Sequence, residues 1–226
     1  MQAQRQCRYR NFLALRAVRE VREFRDLASA ADLRAVEDEA IRGVVKFQED
    51  LGLKGVTDGE FRRRYFHVDF LTQLDGVVEE GGLSKKFKSA KGELDFAPPA
   101  MKINGKVRHA KPVELENFKF VKSATKATPK VTIPSPTMLH FRGGRNAVDK
   151  DAYPEMDEFY ADVAKAYQEE IAALGDAGCT YLQLDDTNLA YLCDPQQRDA
   201  AKQRGEDPDA LPRMYAQWIN ESIKNR

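Results

Sequence analysis

Two short strand-like runs in this chain end abruptly in acidic residues, and this pattern constrains the fold more than any other. Residues 53–57 lead into the motif Asp-Gly-Glu at 58–60, and residues 179–184 lead into the pair Asp-Asp at 185–186. A segment of helical periodicity precedes each run. Strands that alternate with long helices pair in parallel, and parallel sheets collect functional groups at the carboxyl ends of their strands. The pattern predicts an α/β protein whose ligands bind at one edge of a parallel sheet.

Two segments have the apolar spacing of long amphipathic helices. The first follows Ser29, whose spacing to Asp32 resembles a capping box, and it ends near Gly52. Its predicted apolar face comprises Val36, Ala40, Val44, Phe47 and Leu51. The second starts at about Pro154 and ends at Gly175, with a predicted apolar face of Met156, Phe159, Val163, Ala166, Tyr167, Ile171 and Leu174. A last helical stretch covers about residues 214–223.

Between about residues 76 and 128 the alternation of helix and strand is interrupted. Asn104-Gly105 has the composition of a two-residue hairpin turn, and glycines and prolines separate short runs such as residues 118–121. We interpret the segment 76–128 as a β-hairpin-rich insertion. The alternation resumes with a strand at residues 130–133, which the following prolines end.

Composition excludes several classes of protein. The 226 residues contain 36 basic and 36 acidic side chains, so no overall field attracts nucleic acid or a membrane surface. No apolar run is long enough to span a bilayer. Three widely spaced cysteines, Cys7, Cys179 and Cys193, indicate neither a disulfide framework nor a zinc ribbon. We expect a cytoplasmic protein.

Residues 1–28 form an atypical basic arm before a domain that is predicted to cover residues 29–226. Seven arginines and only two acids occur in the first 25 residues. An arginine-rich, acid-poor segment is typical of a transit peptide, but the absence of serine there favours a solvated helical arm.

The acidic residues at the two strand ends are the leading candidates for a site. Glu60 and Asp58 follow the first strand, where Gly59 between them allows a sharp turn, and Asp185 and Asp186 follow the later one. Adjacent strand residues point to opposite faces, so we assign Asp185 to the site and Asp186 to a helix cap or a supporting contact. Two converging carboxylates suit the binding of a substrate ammonium group, although a glycosidase also uses such a pair, and helix capping is a common role for acids in these loops.

Histidines and aromatic residues near the same loops extend the candidate list. His67, His140 and Phe141 are included as candidate substrate-binding residues, although an aromatic residue beside a strand end is more often part of the core. The chain has no HExxH or comparable metal-ligand spacing, so no protein metal site is predicted. The run Arg62-Arg63-Arg64 suits an anionic ligand tail, but a solvated charged surface is the commoner arrangement. Glycine-rich nucleotide-binding motifs are also missing.

Four ordered motifs resemble the cobalamin-independent methionine synthase family, especially its short single-barrel members. They are VTDGEFRR at 56–63, HVDF at 67–70, IPSPTMLH at 133–140 and YLQLDDT at 181–187. The resemblance runs from about Asp32 to the C-terminus. It implies a (β/α)₈ TIM-barrel fold in which a methyl group passes from 5-methyltetrahydrofolate to the thiol of homocysteine, with zinc lowering the pKa of that thiol.

By this resemblance Glu60 and Asp185 hold the ammonium group of the amino acid, and Phe141 takes the place of an aromatic residue against the folate ring. The family's zinc ligands lie beyond the strand that ends at Asp185, and this chain contains none of them. Since such a barrel takes about 250 residues, we expect an incomplete barrel here.

Three functions remain open at this point. The chain is a methyltransferase that a complementing chain completes, a non-catalytic barrel fragment that keeps the pocket, or a related zinc-dependent thiol-alkyl transferase with another sulfur acceptor. An incomplete barrel exposes strand edges, so self-association into a homo-oligomer is also expected.

Overall fold

A computed structural model of the chain describes residues 29–81, 85–89, 92–96 and 99–226. The basic arm predicted for residues 1–28 lies outside the described residues. The described residues divide into two compact units. Unit 1 comprises residues 29–64, 114–131 and 177–183, and unit 2 comprises residues 65–113, 132–176 and 184–226.

The described elements alternate irregularly between helix and strand. In chain order the helices are α1 (Ala30–Asp50), α2 (Val68–Leu71), α3 (Leu115–Ala124), α4 (Met138–Phe141), α5 (Met156–Asp176), α6 (Asn188–Tyr191), α7 (Pro195–Gln203) and α8 (Leu211–Ser222). The strands are β1 (Gly55–Val56), β2 (Asp75–Glu80), β3 (Lys85–Ser89), β4 (Gly92–Phe96), β5 (Ala100–Arg108), β6 (Thr128–Pro129), β7 (Val131–Pro134) and β8 (Leu182–Asp185). A 3₁₀ turn covers Gly144–Ala147.

The strands of the described residues form four two-stranded sheets. β1 pairs in parallel with β6, β2 pairs antiparallel with β5, β3 pairs antiparallel with β4, and β7 lies beside β8. The predicted mixed α/β class is therefore confirmed. No closed barrel is formed by these four sheets, so the TIM barrel stays a prediction.

In unit 1, helix α1 packs against strand β1 and helix α3. Ser29 caps the helix as predicted, because its hydroxyl accepts the backbone N–H of Asp32 at 3.2 Å. The core of this unit comprises Ile41, Val45, Val56, Phe61 and Val121.

The predicted apolar face of α1 is confirmed in part. Val36, Ala40 and Val44 pack against the core of unit 1, whereas Leu51 is 53% exposed. The prediction missed Glu37, Ile41 and Val45, which are the buried residues of the helix.

Two polar residues of α1 have partners that a sequence pattern does not reveal. Glu37 pairs with Arg62, and the Gln48 side chain donates to the Thr57 carbonyl at 2.9 Å and accepts its N–H at 3.0 Å.

In unit 2, the long helix α5 packs against β5 and α8. The helix lies close to where it was predicted, and its core residues include Phe159, Val163 and Tyr167. Its fully buried face also contains Glu170, a charged residue in place of the predicted Ile171. The Glu170 carboxylate accepts the N–H of Val113 at 2.8 Å and lies 2.6 Å from Nε2 of His109, which explains its burial.

The hairpin predicted at Asn104-Gly105 does not form, because both residues lie inside the continuous strand β5. Ile103 pairs with Val77 of β2 on one side and bridges to Val148 on the other, so the strand cannot reverse there. The Asn-Gly sequence instead coincides with a register shift opposite Gly76, a residue at φ +78°. A Cβ at position 76 would overlap the carbonyls of residues 105 and 106, so the close approach of the two backbones requires glycine.

Other boundaries differ from the predictions in identifiable ways. Residues 118–121, placed in the β-rich insertion, lie within helix α3. The later strand is shorter than predicted, since β8 begins at Leu182. Helix α7, which Asp194 caps, was not predicted, whereas α8 covers most of the predicted terminal helix.

No helix in the described part of the chain has both the length and the low polarity that are needed to cross a bilayer.

Replacing Tyr153 with Phe should destabilise the protein. The Tyr153 hydroxyl accepts the N–H of Val107 at 2.6 Å and donates to Asp162 at 2.8 Å, and the ring is fully buried. Loss of these bonds should lower the free energy of unfolding by about 1–3 kcal/mol. Urea denaturation measures the change, and Tyr181→Phe, at a ring that is 45% exposed, is the matched control. Equal stability of the two variants would contradict this role.

Candidate functional site

In unit 1, the acidic motif after β1 has an unusual backbone. Gly59 and Glu60 lie at φ +68° and +58°, so two successive residues are left-handed. Glycine adopts this conformation readily, whereas glutamate rarely does. Asp58 stabilises the turn, because its Oδ1 accepts the Glu60 N–H at 2.9 Å. The sharp turn predicted at Gly59 is confirmed, and the strain at Glu60 is a feature that the sequence did not indicate.

The side chain of Glu60 is 42% exposed and lies 3.3 Å from Arg63. The guanidinium of Arg63 also reaches Glu114 at 3.5 Å, and Arg62 contacts Asp38 at 2.7 Å. The side chains of Arg62 and Arg63 are only 5% and 7% exposed. The predicted solvated charged surface is therefore wrong for these two residues, which form ion pairs within unit 1.

In unit 2, the carboxylate of Asp186 joins the loop after β7 to the loop after β8. Its Oδ2 accepts the hydroxyls of Ser135 at 2.8 Å and Thr137 at 3.1 Å. Its Oδ1 accepts the backbone N–H groups of Asn188 at 2.8 Å and Leu189 at 3.2 Å. Asp186 makes the supporting contacts that were predicted as one of its two roles, whereas Thr187 is the N-cap residue of α6. These four bonds occupy both carboxylate oxygens of Asp186.

Asp185 ends strand β8 and is half-buried. Its carbonyl accepts the N–H of Ser135 at 3.0 Å, which fixes the backbone at the strand end. The strand thus delivers this residue to the loop edge that the sequence predicted, and its role in binding stays a prediction.

His140 lies in the core of unit 2. Its side chain is 5% exposed, Nδ1 lies 3.0 Å from the Tyr215 hydroxyl, and Nε2 lies 3.3 Å from Glu206. Gly144, at φ +54°, lies so close to Glu206 that a Cβ there would overlap its carboxylate. Since both ring nitrogens of His140 face protein groups, the geometry does not favour the predicted contact with substrate. Burial and the charge of Arg204 lower the pKa of His140 to about 4.

His67 is also buried, at 3% exposure, but neither ring nitrogen has a hydrogen-bond partner among the described residues. Burial and the nearby charge of Arg142 lower the pKa of His67 to about 4, so the imidazole is neutral at pH 7. A buried polar group without a partner is uncommon in native proteins, and it is a reason to examine its surroundings.

Phe141 stacks on Tyr191 with ring centroids 5.6 Å apart and an interplanar angle of 13°. Phe141 is 5% exposed, whereas Tyr191 is 36% exposed. The more accessible ring of the pair therefore belongs to Tyr191, which was not among the predicted residues. Its position four residues after the YLQLDDT motif is a signal that could have identified it.

The residues with described side chains do not form the zinc site that the family resemblance implies. Within residues 29–81 and 99–226, no group of three or more His, Cys, Asp or Glu side chains is placed to hold a metal ion.

The two buried histidines should respond differently to replacement by Leu. His67→Leu removes two nitrogens that lack partners, so the free energy of unfolding at pH 7 should be unchanged or rise by about 1 kcal/mol. His140→Leu deprives Tyr215 and Glu206 of a partner and should lower it by about 1–3 kcal/mol. Urea denaturation distinguishes the two variants, and an equal loss in both would contradict the assignment.

Both histidines should also make the stability depend on pH. Each folded pKa of about 4 lies below the unfolded value of 6.5, so the unfolded chain binds more protons between these limits. Stability is fully present above pH 6.5 and falls as the pH is lowered towards 4. Each histidine variant should reduce this fall, which urea titrations at several pH values would measure.

Comparison with known proteins identifies the family. Residues 11–206 match the family described as the catalytic domain of cobalamin-independent synthase. The uncharacterized protein YxjH of Bacillus subtilis (strain 168) is 39% identical over 202 residues, which are 88% of this chain and 51% of YxjH. A 5-methyltetrahydropteroyltriglutamate–homocysteine methyltransferase of Thermosynechococcus vestitus is 29% identical over 161 residues, 70% of this chain and 20% of that enzyme.

A solved structure is similar as well. It is a Listeria monocytogenes protein provisionally assigned as a vitamin-B12-independent methionine synthase, with a TM-score of 0.73 and 36% identity. The match covers 93% of this chain and 58% of that protein. The chain thus spans about half the length of YxjH and of the Listeria protein. Because the family match covers most of its residues, the chain belongs to the cobalamin-independent methionine synthase family, within the catalytic domain.

Proposed function

We propose that this chain carries substrate-binding residues of a methyltransferase that moves a methyl group from 5-methyltetrahydrofolate to the thiol of homocysteine. The proposal concerns the binding steps, which the chain's own residues can perform. It includes a (β/α)₈ barrel as the fold of the whole catalytic domain, with β1, β6, β7 and β8 among its strands. Activation of the thiol is not assigned to the described residues.

The strained backbone of Glu60 carries the proposal. A glutamate at φ +58° directly after a strand costs free energy of the order of 1–3 kcal/mol, and such strain persists mainly where function requires it. The strain holds the carboxylate at a carboxyl-terminal strand end, within the matched part of the chain. This is the expected location of a ligand-binding residue in a parallel α/β protein.

Glu60 and Asp185 would each bind the ammonium group of homocysteine through a charge-assisted hydrogen bond. The support is separate for each residue. Glu60 has an exposed carboxylate that Arg63 orients, and Asp185 stands at the end of β8, where a bond to Ser135 fixes its backbone. Asp58 and Asp186 would support the site through backbone bonds, because each has an oxygen engaged in its own loop.

The methyl donor would bind beside the aromatic pair of Phe141 and Tyr191. The pteridine ring of a folate is flat, and flat rings stack well on aromatic side chains. Tyr191 supplies the accessible surface, and Phe141 holds Tyr191 in place by stacking on its ring. Phe141 therefore has a supporting function in this proposal.

The amides Glu60→Gln and Asp185→Asn should weaken binding of homocysteine by roughly 10- to 100-fold, as expected for loss of a hydrogen bond to a charged group. Isothermal titration calorimetry with the 226-residue chain measures the change. The fold should be unchanged by circular dichroism.

The control ligand for this experiment is 4-mercaptobutyrate, which is homocysteine without its amino group. Neither variant should alter its affinity if the two carboxylates bind the ammonium. Glu116→Gln, at a side chain that is 74% exposed on α3, is the control variant. Equal weakening for both ligands, or failure of the unmodified chain to bind homocysteine, would refute the proposal. Titration with other thiols would reveal a different sulfur acceptor.

A further inference from the structure

Unit 2 contains a cavity of about 380 Å³ beside Phe141, and no ligand has yet been assigned to it. Its apolar wall includes Met101, Met138, Leu139 and Ala200. The volume lies within the range of about 300–1,000 Å³ that is typical of small-ligand sites. An apolar wall of this kind accommodates an organic group rather than a hydrated ion.

Arg142 is the cation that lines this cavity without a counter-charge. Its guanidinium has no ion pair and no hydrogen bond with the residues that the structure describes, although it is exposed to solvent. Protein atoms nevertheless surround it closely enough that desolvation lowers its pKa. An arginine remains charged under these conditions, so the cavity presents a positive charge that solvent can reach.

The other two cations of the cavity differ from Arg142 because each already has an acidic partner. Arg204 bonds to Glu206 at 2.8 Å and to the carbonyl of Phe141 at 3.1 Å, and Lys102 lies 3.6 Å from Glu80. These two pairs are electrically balanced. The charge that is left for a ligand therefore belongs to Arg142.

The charge of Arg142 also acts on His67, which is buried, is neutral at pH 7 and does not line the cavity. Neither ring nitrogen of His67 has a hydrogen-bond partner among the described residues. A ligand in this cavity would therefore contact its apolar wall and Arg142 rather than His67.

We propose that Arg142 binds a carboxylate of the methyl donor, and that the cavity beside Phe141 receives the aromatic amide half of the molecule that carries this carboxylate. The inference rests on the proposed function, because a folate combines a flat ring with an aminobenzoyl-glutamate tail. A guanidinium matches a carboxylate with two parallel hydrogen bonds. The ring of the donor would lie towards Tyr191 and its acidic tail towards Arg142.

Calorimetry with p-aminobenzoyl-glutamate tests this assignment without the rest of the donor. The unmodified 226-residue chain should bind this acid at least about tenfold more tightly than its uncharged diamide, since a hydrogen bond to a charged group is involved. Arg142→Gln should remove that preference and leave the affinity for the diamide unchanged. Arg142→Lys should restore part of it, because lysine keeps the charge but not the paired geometry.

Arg213→Gln is the matched control, because Arg213 is an exposed arginine on α8 that does not line the cavity. Three results would overturn the inference: no binding of the acid, equal binding of acid and diamide, or an unchanged preference in Arg142→Gln. Inorganic phosphate that competes as well as the acid would also overturn it, since the site would then bind any small anion. Homocysteine binding tests Glu60 and Asp185 in a separate experiment. A negative result with p-aminobenzoyl-glutamate would therefore not affect the assignment of those two residues.

Discussion

The carboxylate of Asp186 accepts four hydrogen bonds, two from hydroxyls of the loop after β7 and two from backbone groups at the start of α6. These bonds hold two loops of unit 2 together at the ends of their strands. The positions of Asp185, Phe141 and Tyr191 all depend on those loops. A single charged group therefore organises the part of unit 2 in which substrate binding is proposed, while its own oxygens are fully occupied.

Buried charge is compensated in both units, and this compensation explains several of their packing arrangements. In unit 1 the arginines at 62 and 63 lie beneath the surface against Glu37, Asp38 and Glu114. In unit 2 Glu170 lies inside the apolar face of α5 because His109 and Val113 hydrogen-bond to it. A buried ion without such partners would cost several kcal/mol, so each of these residues restricts how its neighbours can pack.

Sequence patterns predicted the features that depend on neighbouring residues. The Ser29 cap, the extent of α5 and the turn at Gly59 follow from local chemistry, and all three occur in the structure. Features that depend on distant partners were missed. Glu37 is buried on α1 because it pairs with Arg62, and His140 is buried because it bonds to Tyr215, 75 residues away. Asn104-Gly105 has the composition of a hairpin turn, but pairing on both sides of β5 overrides that preference.

The sequence predicted the part of the candidate site that lies at the ends of strands. The acidic residues at 58–60 and 185–186 were identified because strand ends are where a parallel α/β protein places its ligands. Arg142 was not identified, because an isolated arginine resembles any surface residue, and the only signal for Tyr191 is its position after the YLQLDDT motif. Arg142 is notable because it lines a cavity, and Tyr191 because its ring stacks on Phe141. Both features exist only after folding.

The left-handed backbone at Gly144 has a consequence for related sequences. Any side chain at this position would displace the acidic group of Glu206, which in turn neighbours His140 and Arg204. Positions 144 and 206 should therefore covary among homologues, with an acidic residue at 206 retained only where glycine occupies 144. Such a correlation would mark a lineage within the family that shares this buried arrangement.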